Sequence, residues 1–204
     1  MLKKLIFASA ILAATTTVAF ANGAPYVGVS VGANAGTFKL SNTSGDSIDF
    51  GGRGAIGGLF AGYGMLASQN IYVGGEVFAN LTSTQSDINT TGTGTLRDKI
   101  YNKYGYGISF IPGVMLSDHT LAYARVGVVR SKFEVKQIAP TAASESHMVT
   151  GGQLGVGLQT SLTQNVDFRT EYDFTVYRAS TFDNINKVKP RTDTFNVGLI
   201  YKFD

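Results

Sequence analysis

The sequence predicts an all-β fold, an eight-stranded antiparallel up-and-down barrel with strands that cross a membrane. Three observations carry that prediction. Apolar and polar residues alternate with a period of two in eight successive segments. The connections between those segments alternate between tight and long. Glycine (25), tyrosine (10) and phenylalanine (13) are plentiful and proline (4) is scarce, which suits long strands better than helices.

The chain opens on "MLKKLIFASAILAATTTVAFA": Lys3 and Lys4, an apolar run from Leu5 to Ala14, then a small-x-small close at Ala19-Phe20-Ala21. That order is the pattern of a secretory signal peptide, and the run is shorter than the roughly 20 residues a spanning helix needs. Residues 1–21 are set apart on this ground, and 22–204 are predicted to form one barrel domain. The net charge of +3 includes Lys3 and Lys4, so the remainder carries 3 − 2 = +1, no warrant for binding nucleic acid. There is no cysteine, which excludes disulfides and thiol chemistry.

The elements follow in order. In the first segment Val27, Val29, Val31, Ala33 and Ala35 alternate with Gly28, Ser30, Gly32 and Asn34. The second, near 51–66, is so rich in glycine that the facing of its side chains stays open. The third sets Ile71, Val73, Val77, Ala79 and Leu81 against Tyr72, Glu76, Asn80 and Thr82. The fourth sets Ile100, Tyr104, Tyr106, Ile108, Phe110, Val114 and Leu116 against Lys99, Lys103, Gly105, Gly107 and Ser109. The fifth sets Ala122, Ala124, Val126 and Val128 against Tyr123, Arg125, Gly127 and Ser131. The sixth sets Leu154, Val156, Leu158 and Leu162 against Gln153, Gly155, Gly157 and Gln159. The seventh, "VDFRTEYDFTVY" at 166–177, places Val166, Phe168, Thr170, Tyr172, Phe174 and Val176 on one face. Asp167, Arg169, Glu171, Asp173, Thr175 and Tyr177 fall on the other. The eighth sets Phe195, Val197, Leu199, Tyr201 and Phe203 against Thr194, Asn196, Gly198 and Lys202.

Ala67–Asn70, Ser117–His119 and Thr163–Asn165 read as tight turns, and the stretches near 41–50, 83–98, 135–147 and 179–190 as long polar loops. All tight turns then lie at one end and all long loops at the other, the asymmetry of outer-membrane barrels. A soluble barrel also alternates, with its apolar face inward. Three features favour lipid on the apolar face. The segments are long and apolar along their full length. Tyr26, Phe110, Phe133, Tyr201 and Phe203 lie near segment ends, as an interfacial girdle would. The polar face is rich in glycine, which an eight-stranded lumen needs to make room for Arg, Lys, Glu and Tyr. On a solvent face that glycine would only weaken the strands.

Charges inside such a barrel must be paired, because desolvation costs several kcal/mol per ion. A network is predicted around Glu76, Lys103, Arg125, Arg169 and Glu171, with Asp167, Asp173, Tyr72 and Gln153 beside it. Arg130, Lys132 and Lys136 at the end of the fifth segment, and Arg178, Lys187, Lys189 and Arg191 around the last long loop, form a cationic rim. Such a rim suits phosphates of lipopolysaccharide. No catalytic, cofactor or metal site is assigned. His119 sits in a turn and His147 at a loop edge, and the adjoining Ser146 and Glu145 alternate to opposite faces of a strand. "GRGAIG" at 52–57 has dinucleotide-motif spacing but stands in a strand, without the helix that motif requires.

The last segment, "NVGLIYKF", with Asn196, Gly198, Tyr201 and Phe203, resembles the C-terminal strand signal of bacterial outer-membrane proteins, although Asp204 follows the aromatic. With the signal peptide, the eight segments and "RTEYDF", the chain resembles the small eight-stranded OmpA/OmpX-like, opacity-type porin family. The resemblance implies a monomer in the bacterial outer membrane, inserted by the barrel-assembly machinery and in contact with outer-membrane lipids. It leaves two roles open for the interior charges: a structural plug, or a gate whose switching partners open a water path. The expected function is structural or surface-interacting, with an extracellular or host ligand at the loops as a further partner. A small diffusion pore and a soluble periplasmic ligand-binding barrel are the alternatives. A membrane barrel predicts heat-modifiable mobility: the unboiled protein should run differently from the boiled one in a denaturing gel. Identical mobility, with the protein wholly in the soluble periplasm, would count against the spanning barrel.

Overall fold

The computed structural model describes residues 23–41, 47–83, 85–89, 97–137, 144–178, 180–182 and 185–203, with side chains at 23–36, 52–83, 103–132, 148–178 and 191–203. The signal peptide expected over residues 1–21 lies outside the described residues. The strands are β1 (Gly23–Ser41), β2 (Ser47–Leu66), β3 (Ile71–Thr82), β4 (Gln85–Asn89), β5 (Arg97–Ser117), β6 (Thr120–Gln137), β7 (Ser144–Ser161), β8 (Val166–Tyr177), β9 (Ser180–Phe182) and β10 (Ile185–Lys202). Each long strand pairs antiparallel with the next, and β10 returns to β1, so eight strands close the barrel. Closure is what lipid demands: an unpaired backbone group in hydrocarbon costs several kcal/mol, and a closed sheet has no edge.

Tight connections lie between β2 and β3, β5 and β6, and β7 and β8. They are pinned by backbone bonds such as Ala67 N–H to Ile71 O and Leu162 N–H to Val166 O, both 2.8 Å. The long connections differ from expectation. β1 runs to Ser41 and β2 starts at Ser47, β4 occupies part of 83–98, β6 and β7 reach into 135–147, and β9 and β10 fill much of 179–190. Beyond the hydrocarbon both faces of a strand meet water. Polar residues pair their backbones there without alternating, so their composition reads as loop.

The outer face is the apolar one. Leu81 is 72% exposed, Ile108 64% and Val156 61%, values that would be anomalous in water. The facing of β2 is settled: Leu59 points out at 65% exposure and Phe60 in at 9%. Tyr201 and Phe203 face outward near the turn end, their rings 5.1 Å apart edge to face. Tyr26, expected in this girdle, is instead inside and buried. It precedes Val27, so strand parity turns it into the lumen.

The lumen is solid. Tyr26, Phe60, Phe78, Val129, Val149, Tyr177 and Ile200 form one apolar cluster, and Ile111, Leu121 and Tyr123, with Tyr72 and Met115, form a second. Glycines make the space. The register sets Tyr26 opposite Gly62, Phe60 opposite Gly28, Phe78 opposite Gly107, Tyr123 opposite Gly157 and Tyr177 opposite Gly151. In each pair a Cβ on the glycine would collide with the facing ring. Gly75, which faces outward, has nothing within 4 Å of such a Cβ. Gly62→Val should therefore lower the temperature at which the barrel loses its heat-modifiable mobility, while Gly75→Val should leave it nearly unchanged. Equal tolerance at both positions would contradict this packing.

Candidate functional site: the charged interior

Strand parity delivers the charged groups and register brings them together. β8 turns Asp167, Arg169, Glu171 and Asp173 inward, all buried. β6 contributes Arg125, whose cross-strand neighbours are Gly155 and, one strand further, Asp173. A Cβ at Gly155 would strike the Asp173 carboxylate, so glycine is what lets arginine and aspartate share that rung. β3 supplies Glu76 from across the barrel.

Glu76 is the hub. Its Oε1 accepts from Arg125 Nη2 at 2.6 Å and its Oε2 from Arg169 Nη1 at 2.7 Å. Tyr26 donates its hydroxyl to the same Oε2 at 3.2 Å. Arg125 also donates from Nε to Glu171 at 2.9 Å and from Nη1 to Ser109 Oγ at 3.1 Å. Asp173 lies 3.7 Å from Arg125 Nε. Tyr123 donates to Glu171 at 2.7 Å. Arg169 Nη2 donates to Gln159 at 3.0 Å, and Gln159 in turn donates to Asp167 at 2.6 Å. Lys202 Nζ pairs with Asp167 at 3.0 Å at the turn end. Arg169 is further wedged among rings, its guanidinium carbon 4.7 Å from the centroid of Phe60 and 5.1 Å from that of Tyr123. Arg125 lies 5.7 Å from the Phe78 centroid. A cation held against ring faces gains attraction that grows with desolvation.

Four of the five residues grouped from the sequence, Glu76, Arg125, Arg169 and Glu171, meet in this network. Lys103 is exposed at the loop end of β5, in a bulge where Asn102 faces Phe133 and Tyr104 faces Lys132. Six residues along the strand separate it from Ser109, on the order of 20 Å. Tyr26, Tyr123, Ser109 and Gln159 join the network without having been singled out as its partners. Parity alone would have put all four inside. Asp167 and Asp173 lie at its margins, and Gln153 and Tyr72 are also interior.

A cavity of about 30 Å³ lies against the network, lined by residues including Ser30, Asn80, Gln153, Arg169, Asp173 and Asn196. It has room for one or two waters. Among the described residues, Gln153 Oε1, Asp173 Oδ1 and Arg169 Nε have no hydrogen-bond partner, and all three residues line it. On the outer surface, Arg130, Arg178 and Arg191 are exposed and Lys132 half-buried, its Nζ 5.9 Å from the Tyr104 ring centroid. The side chains of Lys136, Lys187 and Lys189 lie outside the described residues. In the last strand Tyr201 and Phe203 face out while Asn196 and Gly198 face the lumen. His119 is exposed in the β5–β6 turn, and the side chain of His147 lies outside the described residues.

Several solved structures are similar to this chain. The Ail attachment invasion locus protein of Yersinia pestis is 18% identical, with 87% of this chain and 98% of Ail covered and a TM-score of 0.45. Neisserial surface protein A is 19% identical, with 86% and 97% covered and a TM-score of 0.48. A major outer membrane protein of Thermus thermophilus is 13% identical, with 86% and 99% covered and a TM-score of 0.52, a likeness of fold. Among curated proteins none matches the chain. The model of the outer membrane protein beta-barrel domain matches residues 6–203, nearly the whole chain. With a closed antiparallel barrel, an apolar outer wall and a charged lumen beneath that match, the chain belongs to the outer membrane protein beta-barrel family and resides in the bacterial outer membrane.

Proposed function

We propose that this protein is a structural and surface-interacting barrel whose lumen is plugged by its own charges. The observation that carries the reading is the single Glu76 carboxylate shared by Arg125 and Arg169. It ties β3 to β6 and β8 across the lumen, with aromatic side chains packed on either side. The elements left to meet other molecules are then the outer wall and the loop end. We assign no catalysis. Outer-membrane residence removes the soluble periplasmic alternative.

A narrow pore is the second reading, and the cavity favours it. One donor and two acceptors without a hydrogen bond among the described residues, beside room for a water, are the groups a hydrated path would use. Switching a guanidinium from one carboxylate to another would extend that path.

Single-channel conductance of the refolded protein in planar bilayers separates the readings, with Glu76→Ala and Arg125→Ala measured alongside. A plug predicts no discrete steps from wild-type barrels of verified heat-modifiable mobility. Wild-type steps that either substitution alters would overturn the plug in favour of the pore. Glu76→Ala removes the carboxylate that pairs with Arg169 and one of the carboxylates on Arg125, and breaking a buried pair costs about 3–5 kcal/mol. The variant should therefore unfold at clearly lower denaturant concentration than wild type. An unchanged midpoint would remove Glu76 from the centre of this account.

A further inference from the structure

The outer wall near the loop end carries a second arrangement of charge. Strand parity turns Arg130 of β6 and Arg191 of β10 outward, and Arg178, just past β8, is also exposed. Register aligns two of them. Arg130 is the partner of Thr150 on β7, and the Arg178 N–H donates to the Thr150 carbonyl at 3.0 Å. Arg130 and Arg178 therefore flank Thr150 on successive strands. With strands about 4.8 Å apart, their Cα atoms stand roughly 10 Å apart, close enough for both guanidiniums to reach one tetrahedral anion. Arg191 faces Val176, two residues before Arg178 on β8, and so borders the same patch.

Depth can be read from β10. Phe203 and Tyr201 mark the turn-side boundary. Ten residues on, Asp193 accepts the Tyr172 hydroxyl at 2.6 Å on the outer wall. Ten residues of strand tilted by roughly 40° rise about 25 Å, the height of the apolar band of such a barrel. Arg191 and Arg178 therefore stand where headgroups begin. Arg130, ten residues above the start of β6 at Thr120, reaches the same level. Beside it, Tyr104 and Tyr106 face outward as cross-strand partners of Lys132 and Arg130. Among the residues whose side chains are described, no carboxylate is in ion-pair contact with Arg130, Arg178 or Arg191, and the nearby Asp193 is engaged by Tyr172. Outward guanidiniums at the edge of hydrocarbon need an anion, and a phosphate meets their fork geometry.

We propose that Arg130 and Arg178, with Thr150 between them, clamp a phosphate on the headgroup of an outer-leaflet glycolipid, with Arg191 guarding one side. This names one partner for the surface role proposed above and rests on that role, yet is independent of whether the lumen conducts. The patch spans β6 to β10 on one side of the barrel, so it binds lipid at a fixed site rather than all round the wall.

Native mass spectrometry of the refolded protein in detergent tests it, with diphosphorylated lipid A, enzymatically dephosphorylated lipid A and phosphatidylglycerol as probes. Wild type should retain diphosphorylated lipid A in preference to both others. Arg130→Ala/Arg178→Ala should bind it about tenfold more weakly, the scale set by losing charge-assisted bonds to phosphate. Arg53→Ala, on the outward face of β2 two strands beyond Arg191 and outside the Arg130–Arg178 pair, should bind like wild type. Heat-modifiable mobility establishes that each variant is folded. Equal retention of dephosphorylated lipid A, equal retention of phosphatidylglycerol, or full binding by the double variant would each overturn the clamp. Conductance data bear only on the plug, so the two proposals fail separately.

Discussion

One carboxylate organises the interior. Glu76 sits 4% exposed in the middle of the barrel and divides its oxygens between two guanidiniums from different strands. It is the carboxylate that meets Arg169, and it joins Glu171 on Arg125; an ion removed from water without a counter-ion costs several kcal/mol. The remaining bonds follow from those placements. Arg125, once held, presents Nε to Glu171 and Nη1 to Ser109. Arg169, once held, lies among Phe60, Tyr123 and Tyr26. The aromatic layers exclude water, and exclusion of water strengthens each bond in the network.

The bilayer inverts the usual arrangement of a fold. Large apolar residues cover the outside, so the inside must be closed by something other than an oil-like core. Here it is closed by ions in the middle and rings around them. The glycines are the counterpart of the rings. Each interior aromatic needs a cross-strand neighbour without a side chain, because an eight-stranded lumen holds only a few large groups per level. Glycine in a strand weakens it in isolation. Opposite a ring, the lost packing is restored by the ring itself.

The wall was legible in the sequence because lipid enforces it. Every outward position in the hydrocarbon must be apolar, so parity announces itself in β3, β6, β7, β8 and β10. Where both faces carry small residues, as in β2, nothing in the pattern tells Leu59 from Phe60, and only pairing with β1 and β3 does. The lumen tolerates apolar and polar groups alike. Phe78, Ile111 and Ile200 therefore break an inner-face pattern that no solvent imposes. Parity also placed the charged groups inside but not at what height. Lys103 shares the inward parity of Ser109 yet stands at the loop end, as the extra residue of a β5 bulge that no local signal marks. Partnership across the barrel is a matter of register between distant strands, and that is not written in any one segment.

The network also bears on how the barrel closes and opens. Its four central ions lie on β3, β6 and β8, while the seam where β1 meets β10 adds the Tyr26 hydroxyl and, at the margin, Lys202 paired with Asp167. Glu76 reaches partners 49 and 93 residues further along the chain. The sheet from β3 to β8 carries all four charges, so the ion pairs across its concave side are made between strands other than the first and the last. In reverse, parting the seam puts the Tyr26 and Lys202 contacts at risk but not the ion pairs of Glu76 with Arg125 and Arg169. Losing the folded barrel therefore means breaking interior contacts of long sequence separation as well as parting the seam.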